Sequence, residues 1–288
     1  MQVWNRAQQK LTQEPVVGEG AMRFVYETAF GRMLAKGILC RKPISNLYGV
    51  LQRSRLTRGK VRRFIRQYDI SLEGCTKQEF SSFNDFFTRQ RLPRPDTTAP
   101  GVLPAIADSK LTALPIGDDT VFTVKGVPYT PAELLADDAL AARYTGGLCL
   151  IFRLSPDDYH RYAYPDAGTQ SATRAVPGVL HTVNPIAADL KVYRRNARRW
   201  TVLQTAHFGQ VVQMEVGALL VGRICNHTES AGASFEKLQE KGYFAYGGST
   251  VILLLEPGRV RMDEDILTYS AQGVESKVRT GERIGEAL

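Results

Sequence analysis

The sequence predicts an α+β protein, with a helical N-terminal region followed by a large, mostly antiparallel β domain. Three observations carry that expectation. Apolar residues recur at steps of three and four in the first quarter of the chain. A proline-rich stretch holding Pro93, Pro95 and Pro100 then forbids a continuous helix. Beyond it, short β-branched and apolar runs alternate with Gly, Pro, Asp and Asn. The division falls between a helical, basic region with its linker, 1–95, and a β-rich domain, 96–288. A chain of 288 residues suits one large domain or two unequal ones, at roughly 150 residues each.

The elements follow in order. The opening residues, MQVWNRAQQKLTQEP, contain no apolar core of a signal peptide. A helix is expected over 21–39, where Met22, Val25, Tyr26, Ala29, Phe30, Met33 and Leu34 form one stripe. A second is expected over 57–68, with Thr57 as N-cap and Val61, Phe64, Ile65 and Tyr68 on its apolar side. Arg58, Lys60, Arg62, Arg63 and Arg66 occupy the rest of that helix. Strands are expected at VFTVK, LCLIFRL, LKVY, WTVLQT, QVVQMEV, ALLVGRI and STVILLL, with one helix over 131–143 among them.

Composition narrows the function. With 43% hydrophobic and 23% charged residues, the chain is neither collagen-like nor disordered. Cys40, Cys75, Cys149 and Cys225 are scattered, which argues against a zinc ribbon, a redox pair or a disulfide framework, and no metal is expected. No apolar stretch approaches the roughly 18 residues of a membrane span. Residues 1–68 hold fourteen Lys and Arg against three acids, while the whole chain nets only +8. The positive excess therefore sits at one end, and it points to an anionic partner there. A basic amphipathic helix at 57–68 suits an anionic membrane surface, each basic group contributing about 1 kcal/mol. A solvated face on a helix packed against the core is the equal alternative. Nucleic acid is not expected, because the region carries no recognisable binding motif.

Three segments carry residues suited to chemistry. In GYFAYGGSTVILLLEPG, Gly247 and Gly248 precede Ser249 at the head of a buried-looking strand. The glycines leave the Gly248 carbonyl sterically open to a neighbouring hydroxyl, although a tight turn before a strand requires the same residues. Val251 stands where the last glycine of a G-x-S-x-G elbow would be. In RLSPDDYHRYAYPDAG, His160 titrates near neutrality and can act as a general base or acid. In VLPAIADSKLTAL, Asp108 can orient an imidazole or serve simply as a turn residue.

Taken together, these segments resemble the pyruvoyl-dependent phosphatidylserine decarboxylases, in their shorter bacterial form. The resemblance spans nearly the whole chain: SFNDFFTRQRLPRP, ADS at 107–109, SPDDYHRY, HTVNP at 181–185, RRNARRW, FGQVVQMEVGALLVGRI and EKGYFAYGGSTVILLLEPG. It implies a proenzyme that cleaves itself between Gly248 and Ser249, with Ser249 as nucleophile assisted by His160 and Asp108. The products would be a β chain, 1–248, and an α chain, 249–288, whose first residue becomes a pyruvoyl group. That ketone forms a Schiff base with phosphatidylserine and accepts electrons as CO2 leaves, giving phosphatidylethanolamine. The resemblance also implies a peripheral protein on the cytoplasmic side of the cell membrane, and His160 as proton donor.

One position departs from the family pattern. Many members carry a second histidine three residues after the first, and here that residue is Ala163. His160 is then expected to take both roles, with His181 as the substitute. Three alternatives stand beside the leading one: a relative acting on a soluble amino acid, an uncleaved lipid-binding relative, and last a conventional serine hydrolase.

Overall fold

The computed structural model describes residues 2–14, 19–34, 42–92, 99–117, 119, 121–124, 127–182, 192–218, 223–245 and 249–288. Its opening residues are strands and not helix. Gln2–Asn5 and Lys10–Gln13 form a hairpin, and Gln2–Asn5 runs parallel to Glu275–Val278 from the far end of the chain. Trp4 stacks on Tyr269 at 4.3 Å, and its Nε1 donates to Asp265. The Arg6 guanidinium spans Asp263, Asp265 and Glu282. The N-terminal region is thus not wholly helical: its first strands belong to the main sheet, through contacts some 270 residues apart that no local pattern encodes.

The expected helix over 21–39 divides into α1, Glu19–Glu27, and α2, Ala29–Leu34, while 35–41 lies outside the described residues. The break falls at Thr28, whose Oγ1 donates to the Phe24 carbonyl and accepts from the Gly31 amide. α3, Lys42–Arg53, leads through a short 3-10 turn to α4, Arg58–Gln67. Thr57 stands at the N-cap of α4 but makes no capping bond. Its Oγ1 instead donates to the Ser54 carbonyl and accepts from the Phe83 amide, tying α4 to α5, Phe83–Phe87. Val61, Phe64 and Ile65 pack with Phe80, Phe83, Phe86 and Phe87 in a small separate core. On the apolar side of α4 Val61 is buried and Phe64 and Ile65 are half-buried against this core, while Arg58, Lys60, Arg62, Arg63 and Arg66 are exposed.

Beyond residue 100 the strands dominate. Among the described residues the largest sheet has eleven strands. Its middle runs Arg198–Thr205, Gln210–Val216, Ser249–Leu255, Leu148–Leu154, Ser109–Pro115, each antiparallel to the next. Ser249–Leu255 is buried at every position, because both faces of this sheet are covered. That double burial is why these strands read as continuous apolar runs and not as alternating ones. One face meets a three-stranded sheet of Arg223–Asn226, Glu240–Ala245 and Arg161–Ala163, where Gln213 Nε2 donates to the Ala163 carbonyl.

The other face meets α6, Pro131–Leu135, through Trp200 Nε1 on the Leu135 carbonyl. The expected helix over 131–143 is broken at Ala136, which adopts φ 53°, so that Asp137 can cap α7, Asp138–Ala141. Of LKVY, residues 190 and 191 lie outside the described residues, and the expected strand is not formed by the rest: Val192–Arg195 is a short helix, α8, with Val192 and Tyr193 buried. Four residues are too few for period 2 and period 3.6 to separate. In ALLVGRI, residues 219–222 lie outside the described residues. A last helix, α9, covers Glu264–Ala271.

Candidate active site

The sheet brings several ends to one margin. Ser249 opens its strand opposite Leu154, and Val278 closes its strand opposite Ser109. Lys110 lies opposite Arg153, so Asp108 stands just beyond the same margin. With strands about 4.8 Å apart, Ser109 is two strands, about 10 Å, from Ser249. Ser249 is wholly buried, and among the described residues its Oγ has no hydrogen-bond partner. An unsatisfied buried hydroxyl costs about 1–3 kcal/mol, a cost Ser249 shares among the described residues with Thr250 and Ser276. Gly248, the other half of the expected cleavage site, lies outside the described residues.

His160 ends the loop that leaves Leu148–Leu154 at this margin. Its backbone carbonyl accepts from the Phe244 amide, five residues before Ser249 in the chain. The ring is buried against Phe87 with centroids 3.9 Å apart, and Nδ1 is 3.0 Å from the Asp158 carbonyl. A carbonyl only accepts, so Nδ1 carries the hydrogen and the neutral ring keeps its lone pair on Nε2. The loop thus sets His160 in the tautomer of a base.

Asp108 takes other partners. Its Oδ1 accepts from the amide and hydroxyl of Thr280, each at 2.9 Å, and its Oδ2 from Arg91 Nη1 at 2.5 Å. Burial would raise its carboxyl, but Arg91 and the Thr280 bonds outweigh that and hold it below the usual carboxylate range. Asp108 and Ala163 both line a cavity of about 660 Å³, whose described lining does not include His160 or Ser249. His181 also approaches the margin: its amide and carbonyl are clamped by Asn196, whose Nδ2 also donates to the Gly217 carbonyl at 2.7 Å. Gly217 follows Val216, which lies opposite Thr250.

Two ionic groupings were not legible in the sequence. On the Ser249 face, Glu215 stands opposite Val251, a diagonal neighbour of Ser249 at about 7–8 Å. It pairs at 2.5 Å with Lys241, and neither side chain is exposed at all. Burial pushes the Glu215 carboxyl up despite that lysine. On the opposite face, Lys110 and Arg153 gather Glu14, Asp158 and Glu275. Burial would raise Glu14, but Arg153 and Lys110 bring it down to about 2, while burial carries Asp158 up to about 6 despite Lys110. Charged residues inside strands read locally as solvent-facing, so only the long-range pairing shows them buried.

A buried serine at a strand start, after two glycines, with an imidazole-bearing loop tied to the strand that precedes it in the chain, is the arrangement of a serine-centred self-processing or acyl-transfer protein. Comparison with known proteins narrows that class. Residues 83–286 match the family model described as phosphatidylserine decarboxylase. The chain is 42% identical over 287 residues to "Phosphatidylserine decarboxylase proenzyme 2" of Clostridium acetobutylicum, covering 99% of this chain and 98% of that protein. It is 36% identical to the "Phosphatidylserine decarboxylase proenzyme" of Clostridium botulinum, covering 100% of this chain and 99% of that one. The Chlamydia trachomatis protein of the same name is 37% identical, covering 98% and 96%. The chain belongs to the phosphatidylserine decarboxylase family.

Proposed function

We propose that the chain is a phosphatidylserine decarboxylase made as a proenzyme, which cleaves itself between Gly248 and Ser249 and releases phosphatidylethanolamine and CO2. The observation that carries the reading is Ser249 itself: buried, without a hydrogen-bond partner among the described residues, at the end of a strand that begins after two glycines. In the cleavage, His160 Nε2 takes the proton as Ser249 Oγ attacks the Gly248 carbonyl, and the peptide becomes an ester. β-Elimination then frees the Gly248 carboxylate, and hydrolysis of the resulting enamine releases ammonia and leaves a pyruvoyl group at position 249. Asp108 would act at a distance, as an ionised anchor for Thr280 and Arg91.

The pyruvoyl ketone supplies the electron sink that amino-acid decarboxylation requires. His160 is the group we assign to return a proton to the substrate's α-carbon. The two products, 1–248 and 249–288, would stay together as a heterodimer. Ser249–Leu255 is held between Gln210–Val216 and Leu148–Leu154, and Arg283–Ala287 pairs with Val102–Pro104.

The region 1–95 supports peripheral binding to the cytoplasmic face of the membrane, where anionic lipid is concentrated. Phe30, Met33, Leu47 and Leu56 are 59–93% exposed, and the basic side of α4 adjoins them in sequence. Phe64 is half-buried, packed on Phe83 and Phe86. Among the described residues no helix is long and apolar enough to cross a membrane. A relative acting on a soluble amino acid would have no use for such a surface.

Intact mass of the purified chain tests the proposal. Two fragments meeting between Gly248 and Ser249, the smaller carrying pyruvoyl, are expected, and Ser249→Ala should stay whole and inactive. An active, uncut Ser249→Ala protein would sink the mechanism.

A further inference from the structure

The buried ionic grouping behind the catalytic loop has a continuous path to His160. The Asp158 carbonyl holds His160 Nδ1 at 3.0 Å. The Asp158 carboxylate accepts from the Ser155 amide and from Lys110 Nζ, each at 2.7 Å, so one residue holds both ends of the loop, Ser155 by its carboxylate and His160 by its backbone carbonyl. Lys110 and Ser155 then converge on one atom: Glu14 Oε1 lies 3.1 Å from Lys110 Nζ and accepts from Ser155 Oγ at 2.5 Å. Glu14 Oε2 accepts from Arg153 at 2.7 Å, and Arg153 is also held by Glu275. Every side chain in this path is at least nine-tenths buried.

From this geometry we infer that Glu14 is a positioning residue for His160, acting through Lys110, Ser155 and Asp158. The inference rests on the role given to His160 above. Anchoring the N-terminal hairpin is not the reason for Glu14, because Trp4 and Arg6 already fix it through Tyr269, Asp263, Asp265 and Glu282. Charge balance is not the reason either. Without Glu14 the cations Lys110 and Arg153 would still face Asp158 and Glu275, with Asp157 at 4.0 Å. What Glu14 adds is a fixed acceptor shared by the two groups that hold the loop. It also lies outside the matched span 83–286, so a segment foreign to the family model sets the geometry of a residue within it.

The test uses the full chain and three readouts: the rate of self-cleavage by intact mass, kcat and KM on phosphatidylserine vesicles, and amide exchange of 155–160. Exchange and thermal unfolding are read on a Ser249→Ala background, which cannot cleave. Glu14→Ala should slow cleavage and lower kcat by about tenfold to a hundredfold, as expected for a displaced catalytic group, with KM unchanged. It should also raise exchange in 155–160 while exchange in Ser249–Leu255 stays as it was. Glu14→Gln keeps an acceptor at Oε1 and should restore both rates to within about threefold. Cleavage at the wild-type rate in folded Glu14→Ala, or loss in Glu14→Gln equal to that in Glu14→Ala, would overturn the inference. If His160→Ala cleaves normally, the reading of His160 falls instead, and the exchange result still reports whether Glu14 orders the loop.

Discussion

At the scale of single residues, the question is which imidazole serves Ser249. His160 presents Nε2 with its lone pair because Nδ1 is committed to the Asp158 carbonyl. His181 is fixed by its backbone, through Asn196, with its ring against Tyr26. We expect His160→Ala to block or greatly slow the cleavage measured by intact mass, and His181→Ala to cleave at close to the normal rate. The reverse pattern would move the role to His181. Ala163 and Asp108 line the same cavity, and there Asp108 is bound directly by Arg91 and Thr280.

At the scale of elements, Ser249 heads the Ser249–Leu255 strand, and the Glu240–Ala245 strand precedes it in the chain. The second of these carries Lys241 into a wholly buried pair with Glu215. Asn226 donates to Glu215 as well, and Tyr162 donates to Asn226, so the layers are joined by a polar chain. Removing one member of such a pair leaves the other charge without compensation, a loss of about 3–5 kcal/mol. Urea unfolding of Lys241→Met on the Ser249→Ala background should show a loss of that order. Adding Glu215→Leu should recover much of it, since paired apolar replacement is often neutral. No recovery would mean that the pair contributes more than mutual neutralisation.

At the scale of the whole molecule, charge and apolar surface are gathered at one end. Leu56 is 93% exposed, immediately before the basic face of α4. Sedimentation with anionic vesicles should therefore capture the protein at low salt and release a good part of it at high salt, because surface charges are screened beyond about 10 Å at 0.1 M. Leu56→Asp together with Met33→Asp should weaken capture without changing the cleavage rate. Equal capture by neutral vesicles would argue against an electrostatic contribution.

The strands Leu148–Leu154, Gln210–Val216 and Ser249–Leu255 were legible as elements, because a doubly buried strand must be apolar throughout. Ser249 and His160 were legible through residue type and through the family likeness of their segments, and the chain's similarity to relatives followed from sequence alone. The sequence also determined that positive charge is concentrated at one end. Only the tertiary structure decided where these parts lie. It turned the first residues into strands beside Glu275–Val278, and it packed the apolar side of α4, which the pattern offered to a membrane, against a small phenylalanine core. It also gave Asp108 to Arg91 and Thr280, and brought Glu14 beneath the loop of His160. The reason is range: periodicity reports which face of a segment is apolar, whereas the partner that covers it comes from residues far away in the chain.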